Sequence, residues 1–104
     1  MTLIEFRSMS PDRLDGLLLA LWWDAKGDWN RAHEIAQDVT GADGAWVHAY
    51  LHRKEGDLSN AAYWYAQAGR PVAKDDLSAE WERIAVAVLA PKLLKPVQLT
   101  GERD

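Results

Sequence analysis

The stretch HAYLHRKEGDLSNAAYWY, residues 48–65, decides how this chain folds. Its first part reads as a helix that ends at Gly56, the residue best suited to the left-handed turn that closes helices. Asp57 follows, and its carboxylate is placed to accept a backbone N–H at the start of the next helix. The stretch therefore predicts a helical hairpin that turns at Gly56-Asp57. It also holds two of the chain's three histidines, all three tyrosines and one of its six tryptophans, so the residues that set the fold carry the functional question as well.

Outward from this hairpin the same punctuation recurs. Gly27-Asp28 repeats the Gly-Asp pair, and TGADG at 40–44 breaks the chain and offers Asp43 as a cap. Ser10-Pro11-Asp12 has the residues of a helix start, with a capping hydroxyl, a proline whose missing N–H costs nothing in the first turn, and an acid at the positive end of the dipole. That first helix is expected to run to about Lys26. Gly69-Arg70-Pro71 ends the fourth helix, and Ser78 or Asp76 opens a fifth, which reaches about Ala90. From Pro91 the tail PKLLKPVQLTGERD, with two prolines, is expected to be extended, its Leu93, Leu94 and Val97 lying back on the bundle. No run alternates β-branched and polar residues as a strand would. The expectation is an all-α fold of about five helices: two stacked αα-hairpins, a C-terminal closing helix and an extended tail. At 104 residues this is one domain, 1–104, with a helical core over about 11–90 and a tail over 91–104.

When the two Gly-Asp turns are superposed, a shift of 29 residues from Gly27 to Gly56, Leu19, Ala20 and Trp23 fall on His48, Ala49 and His52. Ala32 and Ala36 fall on Ala61 and Tyr65. The shared template resembles the tetratricopeptide family of helix-turn-helix repeats, which has a Leu-Gly-x-x-Tyr core in the first helix and Ala-x-x-x-Phe in the second. Leu19-Ala20-x-x-Trp23, Gly27 and Ala32 carry the likeness in the first copy; Ala49, Gly56, Ala61, Tyr65 and Ala68 carry it in the second. Trp81, Ile84 and Ala85 resemble a partial third copy that would cap the stack. The likeness covers residues 13 to about 89, with a spacing of 29 where the family has about 34. It implies a groove that holds a peptide or a partner helix. The segment HAYLHRKEGD, with NA and YWY after it, also resembles a group of small microbial proteins to which no activity is assigned, and so implies no function.

Composition narrows the classes. The hydrophobic share is 48% and the charged share 27%, ordinary for a globular domain. The absence of cysteine removes disulfides, thiolate metal sites and cysteine nucleophiles, and fits a reducing cytoplasm. The start, MTLIEFRSMSPDRLDG, has acids and a proline where a signal peptide would be basic and then apolar. LLLALWW, residues 17–23, falls far short of the ~20 residues of a membrane span. A cytoplasmic protein that binds no membrane is expected. The net charge of −4, with twelve scattered basic residues of which only Arg53-Lys54 are adjacent, argues against nucleic acid. Glu34, Asp38, Asp75, Asp76, Glu80 and Glu82 read as a solvated acidic surface with some caps.

The superposition places His48 and His52 at inward positions of a helix, one turn apart, with Glu55 three residues further along the same side. A buried polar group without a partner costs roughly 1–3 kcal/mol, so something must satisfy both rings. In one reading each stays neutral and bonds to Glu55, Asn60 or Tyr63, which gives stability and no chemistry. In the other, His33 from the preceding hairpin completes a site with His48 and His52. Three neutral imidazoles suit zinc or another divalent metal, and in such a metal-binding or catalytic pocket Glu55 would orient a ring or act as base. His33-Glu34-Ile35-Ala36-Gln37 starts like a HExxH helix, but Gln37 stands at the second ligand position. His48-Ala49-Tyr50-Leu51-His52 has the spacing but lacks the glutamate. Neither supports a metalloprotease. Ser59 lies near the histidines in sequence, yet no glycine-flanked elbow surrounds it. The residues lean away from an enzyme.

A second stripe on the same helix, Trp46, Tyr50 and Arg53, would face the groove that the repeat likeness implies, and these residue types are enriched at binding hot spots. Asn60, Tyr63 and Trp64 share a side of the next helix, with Asn60 and Tyr63 expected in the same pocket as the histidines. The six residues form the expected contact surface for a protein or peptide partner. If the aromatics instead pack on the fifth helix or the tail, that groove is lost. Trp22 and Trp23 are adjacent and point apart, which fits a helix packed on several sides or a homodimer contact.

Overall fold

The computed structural model describes residues 2–101, and the side chains of those residues as far as Ala90. Six α-helices follow one another: α1 Leu3–Ser8, α2 Gly16–Ala25, α3 Trp29–Gln37, α4 Ala42–Glu55, α5 Leu58–Ala68 and α6 Leu77–Gly101, with a 3-10 turn at Pro11–Arg13. No strand occurs among the described residues. The fold is all-α, with α2–α3 and α4–α5 as two hairpins and α6 packed against α2 and α4.

The two Gly-Asp turns are built from the same bonds. Gly27 and Gly56 both stand at φ +91°, a left-handed value that a side chain would strain. Asp28 N–H donates to the Trp23 carbonyl at 2.9 Å, and Asp57 N–H to the His52 carbonyl at 2.9 Å. The Asp28 carboxylate accepts from Arg31 N–H at 3.0 Å, and that of Asp57 from Asn60 N–H at 3.3 Å. Each glycine ends one helix and each aspartate starts the next.

The other ends differ from the expectation. Ser10-Pro11-Asp12 forms only the 3-10 turn, and α2 starts at Gly16 after Asp15. An additional helix precedes it: Thr2 and Glu5 exchange backbone bonds in a capping box, and Phe6 of α1 is buried against Trp81 with ring centroids 5.9 Å apart. Gly41, not Asp43, is the residue before α4, and Asp43 lies in its first turn. Gly44 has no room for a side chain, because a Cβ there would overlap the Val39 carbonyl, which closes the α3–α4 corner. Asp76 caps α6 through Ala79 N–H at 2.9 Å. That helix then continues through Pro91 and Pro96 to Gly101, where an extended tail was expected. A proline removes one N–H and crowds the carbonyl a turn earlier, a local cost of about 3 kcal/mol that does not forbid helix on both sides. The packing expected of Leu93, Leu94 and Val97 lies outside the described side chains.

The core sits around α4, which touches α2, α3, α5 and α6. Every residue from Gly44 to His52 is buried. This enclosure overturns the expected exposed stripe: Trp46 and Tyr50 are 3% and 2% exposed. Two buried carboxylates hold them. Glu80 of α6, 0% exposed, accepts from Trp46 Nε1 at 3.1 Å, Arg53 Nη1 at 2.7 Å and the Tyr65 hydroxyl at 2.6 Å. Asp24 of α2 accepts from the Tyr50 hydroxyl at 2.7 Å and Lys54 Nζ at 2.8 Å. Glu80 is thus no part of a solvated acidic surface. Burial, reinforced by these carboxylates, raises the Tyr50 and Tyr65 hydroxyls far above the usual tyrosine range.

Candidate metal centre

The hairpin stack brings the three histidines together. His33 stands in the middle of α3 and His48 and His52 one turn apart on the facing side of α4, so the packing of α3 on α4 closes the group. His33 Nε2 and His48 Nε2 are 3.0 Å apart. The His48 and His52 ring centroids are 4.8 Å apart, and those of His33 and His52 5.1 Å. One ligating nitrogen from each ring falls within 4.8 Å of the other two.

Each ring is held from outside. Trp29, at the first position of α3, stacks on His33 at 4.8 Å with planes 8° apart, and its own Nε1 donates to the Leu51 carbonyl at 2.7 Å. Trp64 of α5 stacks on His48 at 4.1 Å with planes 17° apart. His52 Nδ1 donates to Glu55 Oε2 at 2.6 Å, so that in the neutral ring the lone pair sits on Nε2. Carboxylate, imidazole and neighbouring imidazoles form the arrangement in which an outer acid orients a metal-ligating ring.

The electrostatics favour neutral rings at His33 and His48. Burial first, and then the neighbouring imidazoles His33 and His52, push His48 down to about 4. His33 is lowered by the same causes, desolvation ahead of the neighbouring His52 ring. At neutral pH His33 and His48 therefore offer lone pairs rather than positive charge. In the metal-free protein one ring of the His33–His48 pair donates and the other accepts. Two nitrogens on one tetrahedral zinc stand about 3.3 Å apart, given zinc–nitrogen bonds of about 2.0–2.1 Å. The 3.0 Å separation lies close to that spacing.

A cavity of about 400 Å³ adjoins His48, with Gln37, Thr40, Trp64 and Gln67 in its wall. Gln37, which interrupts the HExxH pattern, thus faces the space beside the imidazoles. A ligand bound to a metal there would meet amide and hydroxyl groups and the Trp64 ring.

Of the residues expected at a site, His33, His48, His52 and Glu55 converge. Trp64 joins them as a wall. Asn60 and Tyr63 do not reach the histidines: the Asn60 side chain donates to Asp57, and Tyr63 is 56% exposed with its ring on the edge of Trp64. Trp46, Tyr50 and Arg53 belong to the two carboxylate networks, and Arg53 also donates to the Asp75 carbonyl. Ser59 contacts Asp57 and no histidine. Sequence reasoning missed Trp29 as the platform under His33; its place four residues before His33 on one helix face was the available signal. Compared with protein-family models, curated proteins and solved structures, the chain matches none of them. No helix among the described residues is long and apolar enough to cross a membrane.

Proposed function

We propose that this protein binds a divalent transition metal through the imidazoles of His33, His48 and His52. The observation that carries the reading is the approach of one ligating nitrogen from each ring to within 4.8 Å, from two different hairpins. Supporting it, Glu55 stands behind His52, two tryptophans fix the other rings, and burial keeps His33 and His48 unprotonated. Three neutral nitrogen donors without thiolate suit zinc, copper(II), nickel(II) or cobalt(II). The fourth position would open toward the cavity beside His48, so the metal would act as a Lewis acid or as a holder of a small ligand.

Calorimetric titration with zinc tests this. One equivalent is expected to bind, and His33→Gln with His52→Gln together should weaken it at least ~100-fold while far-ultraviolet circular dichroism stays helical. Glu55→Gln should weaken it about tenfold. If one equivalent of zinc leaves all three ring nitrogen resonances unmoved, the rings are satisfied core residues and the proposal fails.

A second reading, a repeat module that docks a protein or peptide partner or a second copy, follows from the tetratricopeptide likeness and the matching turns. Its support is on α5, where Leu58 and Tyr63 are 66% and 56% exposed. The enclosure of Trp46 and Tyr50 leaves that surface smaller than the sequence suggested. A concentration-independent monomer in light scattering and no peptide capture lost on Tyr63→Ala would remove it.

A further inference from the structure

A second cavity, of about 410 Å³, lies on the opposite side of α4 from the histidines, bounded by α1, α2, α4 and α6. Its wall carries Arg7, Lys26 and Lys54 with a single acid, Asp24. Both Asp24 oxygens are already engaged, Oδ2 by the Tyr50 hydroxyl and Oδ1 by Lys54 Nζ. Within this wall Lys54 neutralises Asp24, which leaves Lys26 and Arg7 as its other cations, Arg7 facing Glu82 beyond the wall at 3.5 Å. In a chain of net charge −4 this is a local reversal of sign.

The two surplus cations are placed by aromatic rings rather than by strong ion pairs. The Arg7 guanidinium lies 4.5 Å from the centroid of Trp81, which itself is fixed by donating Nε1 to the Leu21 carbonyl at 3.1 Å. Its only acidic neighbour among the described residues is Glu82 at 3.5 Å, an ion pair about half exposed on both sides and so of little worth. Lys26 Nζ lies 5.0 Å from the Trp22 centroid. A guanidinium over an indole face keeps its N–H groups available, and its fork of donors can take an oxyanion on two bonds. Ser78 and Leu77 complete the wall with a hydroxyl and an apolar surface.

We infer that this cavity binds a small organic oxyanion, a phosphate monoester or a carboxylate with an apolar body. The anionic head bridges Arg7 of α1 and Lys26 just after α2, Ser78 donates to it in place of its long 3.5 Å bond to Asp76, and the body lies against Leu77 and Trp81. The volume falls in the range of small-molecule sites, about 300–1,000 Å³. Binding would tie the short α1 to the bundle, because Arg7 is that helix's only basic residue. This site is independent of the histidine cluster and shares no residue with it.

The test uses the full chain stripped of metal on a chelating resin, because a soluble chelator is itself an anion. Phenyl phosphate and inorganic phosphate are titrated at constant ionic strength while the indole N–H of Trp81 and the Ser78 amide are followed by NMR. Saturable shifts at both positions are expected, stronger for phenyl phosphate, with roughly tenfold weaker binding in Arg7→Gln and again in Lys26→Gln. Both substitutions are at exposed positions, so the fold is retained. Equal shifts with uncharged phenol, or shifts that persist unchanged in Arg7→Gln/Lys26→Gln, would overturn the inference. No saturable shift with either phosphate would overturn it as well.

Discussion

The hairpins α2–α3 and α4–α5 share a turn and differ in what surrounds them. Gly27-Asp28 and Gly56-Asp57 reproduce each other bond for bond, down to the same φ. Ala20 and Ala49 are both 0% exposed, and Ala32 and Ala61 are matched in the same way. Yet Leu19 and Trp23 of α2 are only partly buried, whereas their counterparts His48 and His52 are enclosed. Turn chemistry is local and repeats with the residues that write it. Burial depends on neighbours: α2 and α4 each touch four other helices, but nine successive residues of α4, Gly44 to His52, are enclosed, whereas in α2 only Leu18, Ala20, Leu21 and Asp24 are. The polar rings are therefore found where the lattice of helices is densest, which is also where three of them can meet.

The difference is broken most severely at Glu80. Replacing it with alanine removes the acceptor of Trp46 and Tyr65 and leaves the Arg53 guanidinium largely buried without its carboxylate. A loss of about 3–5 kcal/mol in urea unfolding is expected. If Glu80→Ala lowers stability by less than about 1 kcal/mol, the enclosure of α4 by α6 is weaker than its bonds indicate.

The next effect belongs to the histidines alone. In the metal-free protein His48 titrates near 4, against about 6.5 in the unfolded chain. Between these values the unfolded state binds the extra proton, so stability is complete above pH 6.5 and falls as the pH drops toward 4. The loss should be roughly 2–3 kcal/mol and should be much smaller in His48→Leu, which restores the residue type of Leu19 in the first hairpin. A pH-stability profile identical in both proteins would show that His48 is protonated equally in the folded and unfolded chains.

The smallest effect sharpens the likeness rather than the contrast. Asp28→Ala and Asp57→Ala each remove one helix cap and should each cost about 1 kcal/mol, equal within a few tenths. Unequal costs, read from paired denaturation curves, would mean that the shared geometry hides different energetics.

Much of this was legible in residue order. The turns were, because glycine at positive φ and aspartate at a helix start act on their own backbone. The meeting of His33 with His48 and His52 was legible too, because stacked hairpins place α3 against α4. The enclosed α4 was not: a stripe of Trp46, Tyr50 and Arg53 reads as a face turned to a partner unless the buried acids that receive it are known. Glu80 and Asp24 lie 34 and 26 residues from the aromatics they bind, and no local pattern reports such distances. Helix α1 was written in Thr2-x-x-Glu5, a capping box that the stronger Ser10-Pro11-Asp12 signal obscured.

The enclosure of α4 also bears on how the molecule moves. A helix that supplies a wall to four others cannot detach singly, since its departure exposes every interface at once. The histidines consequently share the lifetime of the whole domain rather than that of a loop. On the proposed metal reading, an ion held by them would exchange through the cavity beside His48 or past the half-buried ring of His33, with no lid to open.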